Sequence, residues 1–218
     1  MIRPALVALL LLTGCAGSAP TDEARVDAAL LRLSDFPGGE GWIVEPEATD
    51  DPAQAEFQAA LDKCEQDLDP TVETRSAERE SDSFTRAASL AEQAFVSVGS
   101  NASVVADEDI RAALFGALET MVDCFGTALQ EALIAQAGSA DLAVTVSDPY
   151  SLDVSTDGQR TAGHAIQLSF QPDTLFVDLI VVEEGPTLLY GAFLHQGDLK
   201  LADEEQILAP AVKRLQEL

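Results

Sequence analysis

Two histidines, three cysteines and 38 carboxylate side chains are the groups in this chain with the means to do chemistry. His164 shares parity with Ile166 and Leu168, which turns it toward a core at the start of a strand. His195 closes another strand beside the turn His195-Gln196-Gly197-Asp198. Either would need a nucleophile or carboxylate within about 3.2 Å to act as a general base. The chain holds no Gly-x-Ser-x-Gly, no His-Glu-x-x-His and no glycine-rich phosphate cradle. Asp148, Asp153 and Asp157-Gly158 share one loop, but their spacing is not that of a calcium-binding EF-hand. Glu45, Glu47, Asp50 and Asp51 form another cluster. With so many acids, clusters arise by chance, and none marks a glycosidase pair. The expectation is two structural histidines and solvated loop acids, with no catalytic residue, no cofactor and no metal ligand. A paired catalytic role for His164 or His195 is left open by sequence.

The first residues carry an address. Arg3 precedes an apolar run from Pro4 to Leu12, followed by Leu12-Thr13-Gly14-Cys15. A cationic start, a short apolar core and small residues read as an export signal. The run is shorter than the roughly 20 apolar residues of a membrane-spanning helix. Leu-Thr-Gly-Cys resembles the lipobox of bacterial lipoproteins. That resemblance implies diacylation of Cys15 and a cut before it: signal peptide 1–14, lipidated cysteine and tether 15–24, one α+β domain 25–218. Burial of each acyl methylene contributes about 0.8 kcal/mol, so two chains anchor stably where one does not. The other reading is an ordinary secretory signal with an incidental cysteine. With Cys15 given to lipid, Cys64 and Cys124 remain, and an even pair in an exported chain points to a disulfide. A two-cysteine metal site would need histidines at ligand spacing, and none is near.

Composition narrows the partners. Apolar residues make up 47% of the 218, as in a globular protein, and the net charge is −26. Such a surface repels phosphate backbones and anionic headgroups, so no nucleic acid partner is expected, nor a membrane held through a basic patch. The expected partners are the membrane, through the lipid anchor, and an unidentified envelope ligand or protein, with cations favoured.

Periodicity places the elements that must position these groups. Thr21 caps a helix reaching Leu33, Gly41 to Val44 forms a short strand, and Ala53 to Glu65 forms a second helix opened by Pro52. Residues 66–82 carry no period and read as a loop. Strands follow at Ser83–Ala88 and Gln93–Val98, ended by the turn signal Gly99-Ser100-Asn101. From Asp107 to Gly138 a 3.6 period runs through Ile110, Leu114, Ala117, Met121, Phe125 and Ala128. That length favours a break near Thr120 or Gly126. Four strands then follow, 142–146 and 164–170 with apolar residues at alternate positions, then 175–182 and 187–194, the last three joined by two short hairpin connections. The third is apolar on both faces apart from Asp178, as in a central strand. Ile207, Leu208, Ala211, Val212 and Leu215 stripe a final helix, in which Pro210 is either a kink or the start. The fold class is α+β: an antiparallel sheet of about five to six strands with a long central helix and a C-terminal helix packed on it.

Leu31 to Trp42 reads Leu-Arg-Leu-Ser-Asp-Phe-Pro-Gly-Gly-Glu-Gly-Trp, followed by Cys64, Asp82-Ser83-Phe84, Cys124 late in a helix, a strand meander and a closing helix. This order resembles uncharacterised actinobacterial cell-envelope lipoproteins and, more distantly, the extracellular sensor domains of actinobacterial serine/threonine kinases. The resemblance implies an exported, non-enzymatic ligand- or partner-binding module, sensor-like, with Cys64 and Cys124 bonded. Phe57, Phe84, Phe95, Phe115, Phe125, Phe176 and Trp42 then offer walls for a lipid-binding cleft between the long helix and the sheet. Two other functions compete: an envelope hydrolase using His164 or His195, and a purely structural or adhesive surface lipoprotein with a broad apolar patch. The anchor is directly testable: Cys15→Ala is expected to move the protein from the membrane to the soluble fraction, and a variant that stays membrane-bound defeats the lipid assignment.

Overall fold

Alternating apolar residues set the centre of the molecule. In the computed structural model, which describes residues 19–37, 41–45, 52–87, 95–136, 143–170, 172–197 and 199–218, three long strands form an antiparallel meander. They are β7 (Arg160–Phe170), β8 (Asp173–Glu184) and β9 (Thr187–His195). Gly185, with φ of 58°, turns β8 into β9. β4 (Phe95–Val105) pairs along the free edge of β9. Short strands extend the sheet: β1 (Trp42–Val44), β2 (Arg75–Glu80), β3 (Phe84–Ala87), β5 (Thr145–Val146) and β6 (Tyr150–Leu152). The nine strands run β1-β3-β4-β9-β8-β7-β5, with β2 beside β4 and β6 beside β7.

Helices cover both faces. On one, α3 (Glu108–Gln136) buries Leu114, Leu118, Met121 and Val122 against Leu179, Val181, Leu188, Ile166 and Leu168. α2 (Pro52–Leu68) packs along α3, and a disulfide joins Cys64 to Cys124. On the other, α1 (Asp22–Ala29) and α4 (Leu201–Gln216) bury Val26, Ile207, Leu208, Ala211 and Val212 against Ile180, Val182, Leu189 and Phe193. The odd and even residues of β8 therefore serve different cores, as its two-sided apolarity requires. α3 is apolar and long enough to cross a membrane by length and composition. Its buried stripe lies on the sheet, however, and its outer side exposes Glu119, Asp123 and Glu131.

Several expectations are corrected. The sheet has nine strands, not five to six. Residues 66–82, read as a loop, contain β2, a strand whose only buried side chain is Ala77. Main-chain pairing with β4 defines it, and its side chains address α1: Arg79 pairs with Glu23 and Asp27, and Ser76 donates to Asp22. Gly99-Ser100-Asn101 is no turn. β4 runs straight through it, because all three residues pair with β9, while on the other edge Asn101 pairs with Glu80 of β2 and the Ser100 carbonyl accepts from the Ser81 amide. β6 shows no alternation and is three residues long. The first helix stops at Ala29, and Leu33 lies in a 3-10 turn held by Asp35, whose carboxylate accepts from the Arg32 amide. Asp107 caps α3 instead of joining it, accepting from the amides of Asp109 and Ile110. The helix is unbroken at Thr120 and Gly126. Gly126 is there for contact: a Cβ would stand 2.3 Å from Ile166 Cδ1. Pro210 lies inside α4, where the carbonyl it leaves unpaired belongs to the exposed Gln206. Cys15, Asp50, Asp51, Gly138, Leu142 and Asp198 lie outside the described residues.

The disulfide closes a separation of 60 residues between the two helices of one face. In the chain-entropy account such a closure stabilises by about 4 kcal/mol. Cys64→Ser is accordingly expected to lower Tm by on the order of 10 °C, at roughly 2–4 °C per kcal/mol for a domain of this size. An unchanged melting temperature would remove the disulfide from the list of what holds the fold.

Candidate functional site

The α3 face of the sheet does not close completely. Between α2, α3 and the middle of β4, β8 and β9 lies a cleft of about 280 Å³. Met121 and Phe125 of α3, with Leu179 of β8, form an apolar floor, and Gly99 and Ala192 admit the space by their small size. Asp62, Glu65, Asp69 and Glu80 ring it, with Ser81, Ser83 and Asn101 as polar neutral groups. Apolar surface beneath a few convergent polar groups is the usual composition of a ligand site.

One wall is rigid. Arg75 pairs with Asp69 and Glu65, each at 2.6 Å, and with Glu78. Tyr190 donates to Asp69 at 3.1 Å, and Thr71 donates to the same carboxylate at 2.6 Å. Burial opposes the charge on Arg75, but the Glu65 hydrogen bond and the surrounding acids hold its pKa above the usual guanidinium value. Burial, followed by the Asp69 charge, raises the Tyr190 phenol and keeps it a donor. Glu65 and Asp69 are therefore partly neutralised at the cleft, whereas the exposed Glu80 has no ion-pair partner among the described residues.

A second constellation sits on the opposite, α4 face. His195 Nε2 lies 3.0 Å from Asp178 Oδ2 and 3.8 Å from Glu204 Oε1. Gly197 N–H donates to Nδ1 at 3.1 Å, so Nε2 carries the ring proton and donates to Asp178. Phe176 stacks on the imidazole with ring centroids 5.3 Å apart. Glu204 is fully buried, and no N–H or hydroxyl donor among the described residues reaches either of its oxygens or Asp178 Oδ1. Burial first, then Asp178 as hydrogen-bond partner and charge, then Asp203 and Glu205, push the Glu204 carboxyl up to about 9. A proton held by Glu204 and shared toward Asp178 is one way to relieve this crowding. Tyr150, on β6, feels the same two carboxylates; burial and then their charge raise its phenol.

The two histidines thus part company. His164 lies on the face of Ile166 and Leu168 as expected, but in mid-strand, half-buried, with Nδ1 unpartnered among the described residues. His195 meets the distance a hydrolase needs toward a carboxylate, yet it is buried, and no hydroxyl or thiol among the described residues hydrogen-bonds to it. Asp148, Asp153 and Asp157 are exposed, as solvated acids should be. The aromatic cleft is not formed as expected. Phe125 lines the opening. Phe84 and Trp42 pack with Phe36 on the other face, and Phe115 lies under Arg160. Phe176 covers His195, and the side chains of Phe57 and Phe95 lie outside those described.

Sequence reasoning missed both sets of acids at the sites. For the α4 face a signal existed: Asp178 is the one charge in an apolar strand, and Glu204 occupies the buried stripe of α4, three and four residues before Ile207 and Leu208. For the cleft there was none, because its acids come from α2, the turn after it and β2.

No family model matches the sequence, and no curated protein does. Among solved structures, the chain is similar to the extracellular domain of PknH from Mycobacterium tuberculosis, with a TM-score of 0.48 and 12% identity, over 93% of this chain and 100% of that one.

Glu204 makes a signed prediction. Its folded pKa of about 9 stands above its ordinary 4.5, so the folded state holds a proton that the unfolded chain loses first. Its contribution is complete below about 4.5 and is lost as pH rises through about 9. In chelator-containing buffer, the wild type is expected to lose stability relative to Glu204→Gln across that window. Parallel stability curves for the two proteins would show that Glu204 is ionised in the folded state.

Proposed function

We propose that this chain is an exported, lipid-anchored envelope protein that binds a ligand without transforming it, and that the acid-rimmed cleft is the binding site. The cleft carries the reading: an apolar floor of Met121, Phe125 and Leu179 beneath carboxylates at Asp62, Glu65, Asp69 and Glu80. Those groups suit a small amphipathic cation, with its apolar body on the floor and its ammonium end toward Glu80. The overall charge of −26 draws cations to the same surface. The volume, near the lower end of small-molecule sites, limits the ligand to a compact one. Export through the Cys15 signal agrees with the Cys64–Cys124 disulfide, a bond that persists in oxidising compartments. The hydrolase alternative loses ground, because the His195–Asp178 pair is buried on the α4 face, away from the cleft.

Isothermal titration of the full chain in detergent with benzyltrimethylammonium tests the reading. Saturable binding is expected, weakened several-fold in Glu80→Gln and abolished in Ala192→Trp, whose indole would fill the cleft from an exposed position on β9. Ala192→Trp binding as well as the wild type would overturn the assignment.

A further inference from the structure

The Asp178–His195–Glu204 cluster plays no part in the cleft, and its chemistry points elsewhere. We propose that these three side chains form a binding site for one first-row divalent cation of the Zn²⁺ or Mn²⁺ kind.

Three elements converge to build it: β8 supplies Asp178, the end of β9 supplies His195, and the first turn of α4 supplies Glu204. One ligand atom from each lies within 4.8 Å of the others. A cation bound at about 2.0–2.2 Å in tetrahedral geometry holds its ligand atoms about 3.3 Å apart. The observed separations of 3.0 and 3.8 Å from His195 Nε2 bracket that value, so on the imidazole side closure asks for shifts of a few tenths of an ångström, and the two carboxylates lie within 4.8 Å of each other.

Charge favours the same occupant. Once a cation displaces the proton held by Glu204, two carboxylates and a neutral imidazole carry two negative charges, which one divalent ion neutralises. Among the described residues, no lysine or arginine pairs with either carboxylate. Glu204 is fully buried, and no N–H or hydroxyl donor among the described residues satisfies its oxygens or Asp178 Oδ1. Buried carboxylates in such a position are ordinarily paired or metal-bound. Two carboxylates with one imidazole suit Zn²⁺, Mn²⁺ or Fe²⁺; Ca²⁺ would want six to eight oxygens.

One feature of the unliganded geometry must change. Gly197 N–H donates to His195 Nδ1, so a cation on Nε2 sends the ring proton to Nδ1 and turns that amide away. Gly197 is exposed with φ of 95°, so the amide can turn without steric cost from a side chain. The stacked Phe176 holds the ring in place meanwhile.

The test uses the full chain in detergent, stripped with chelator and dialysed, then titrated with ZnCl₂ or MnCl₂ in millimolar CaCl₂ to occupy the exposed acids. One equivalent is expected to bind, with affinity at least tenfold lower in Glu204→Gln and His195→Gln. CoCl₂ added to the wild type is expected to give the visible absorption of a low-symmetry, nitrogen-containing site. Undiminished binding in Glu204→Gln would place the ion on the acidic surface and overturn the proposal. No binding above the calcium-suppressed background, or a cobalt spectrum identical to that of the aqueous ion, would leave the cluster as a shared-proton pair alone. The cobalt readout needs no variant, so a misfolded substitution cannot obscure the answer.

Discussion

A central strand covered on both faces is the constraint from which the other features follow. β8 lies between β7 and β9, with α3 over one face and α4 over the other. Because side chains alternate, neighbours along β8 belong to different worlds: Leu179 floors the cleft, while Asp178 faces α4 and His195. A register slip of one residue would exchange the two faces, placing a carboxylate under α3 and a leucine beside Glu204. The long ladders to β7 and β9 fix that register, and the helices follow.

Cations are scarce in this chain, and the structure spends them on buried clamps. Arg75 gathers Glu65, Asp69 and Glu78 at the end of α2. Arg111 holds Glu183 at 2.8 Å and donates to the carbonyls of Val105 and Ala106, tying the start of α3 to the sheet. Arg214 grips Asp35 through two nitrogens and donates to the carbonyls of Ala28 and Leu30, fastening the N-terminal segment to α4. Removing an arginine from such a clamp strands a buried carboxylate, which costs more than the pair contributes. Against 38 acids, 12 lysines and arginines cannot serve every site. Among the described residues, the Asp178–Glu204 pair is buried without any such cation, and Glu80 at the cleft rim has none either.

Strong periodicity made much of the fold legible. The α3 stripe, the β7–β9 meander and the stripe of α4 each have a pattern set by a buried face, and each lies close to where its pattern placed it. Elements held by main-chain pairing were not legible. β2 and β6 present few buried side chains, and the Gly-Ser-Asn segment of β4 has turn-forming residues that continuous pairing with β9 overrides. The sites follow the same division. Asp178 stood out as the exception in an apolar strand, whereas Glu204 lies one turn before the stripe read from Ile207 and was not singled out. The meeting of both with His195 depends on how α4 is docked. The cleft acids come from segments far apart in sequence and had no local signature at all.

The most direct measurement of the binding account is residue-resolved: amide chemical shifts of the isotopically labelled full chain, followed as benzyltrimethylammonium is added. Saturable shifts concentrated at Gly99, Asn101, Met121 and Ala192, with the α4 face unmoved, are what the cleft predicts. Shifts that fail to saturate, or that centre on residues away from α2, α3 and β9, would contradict it.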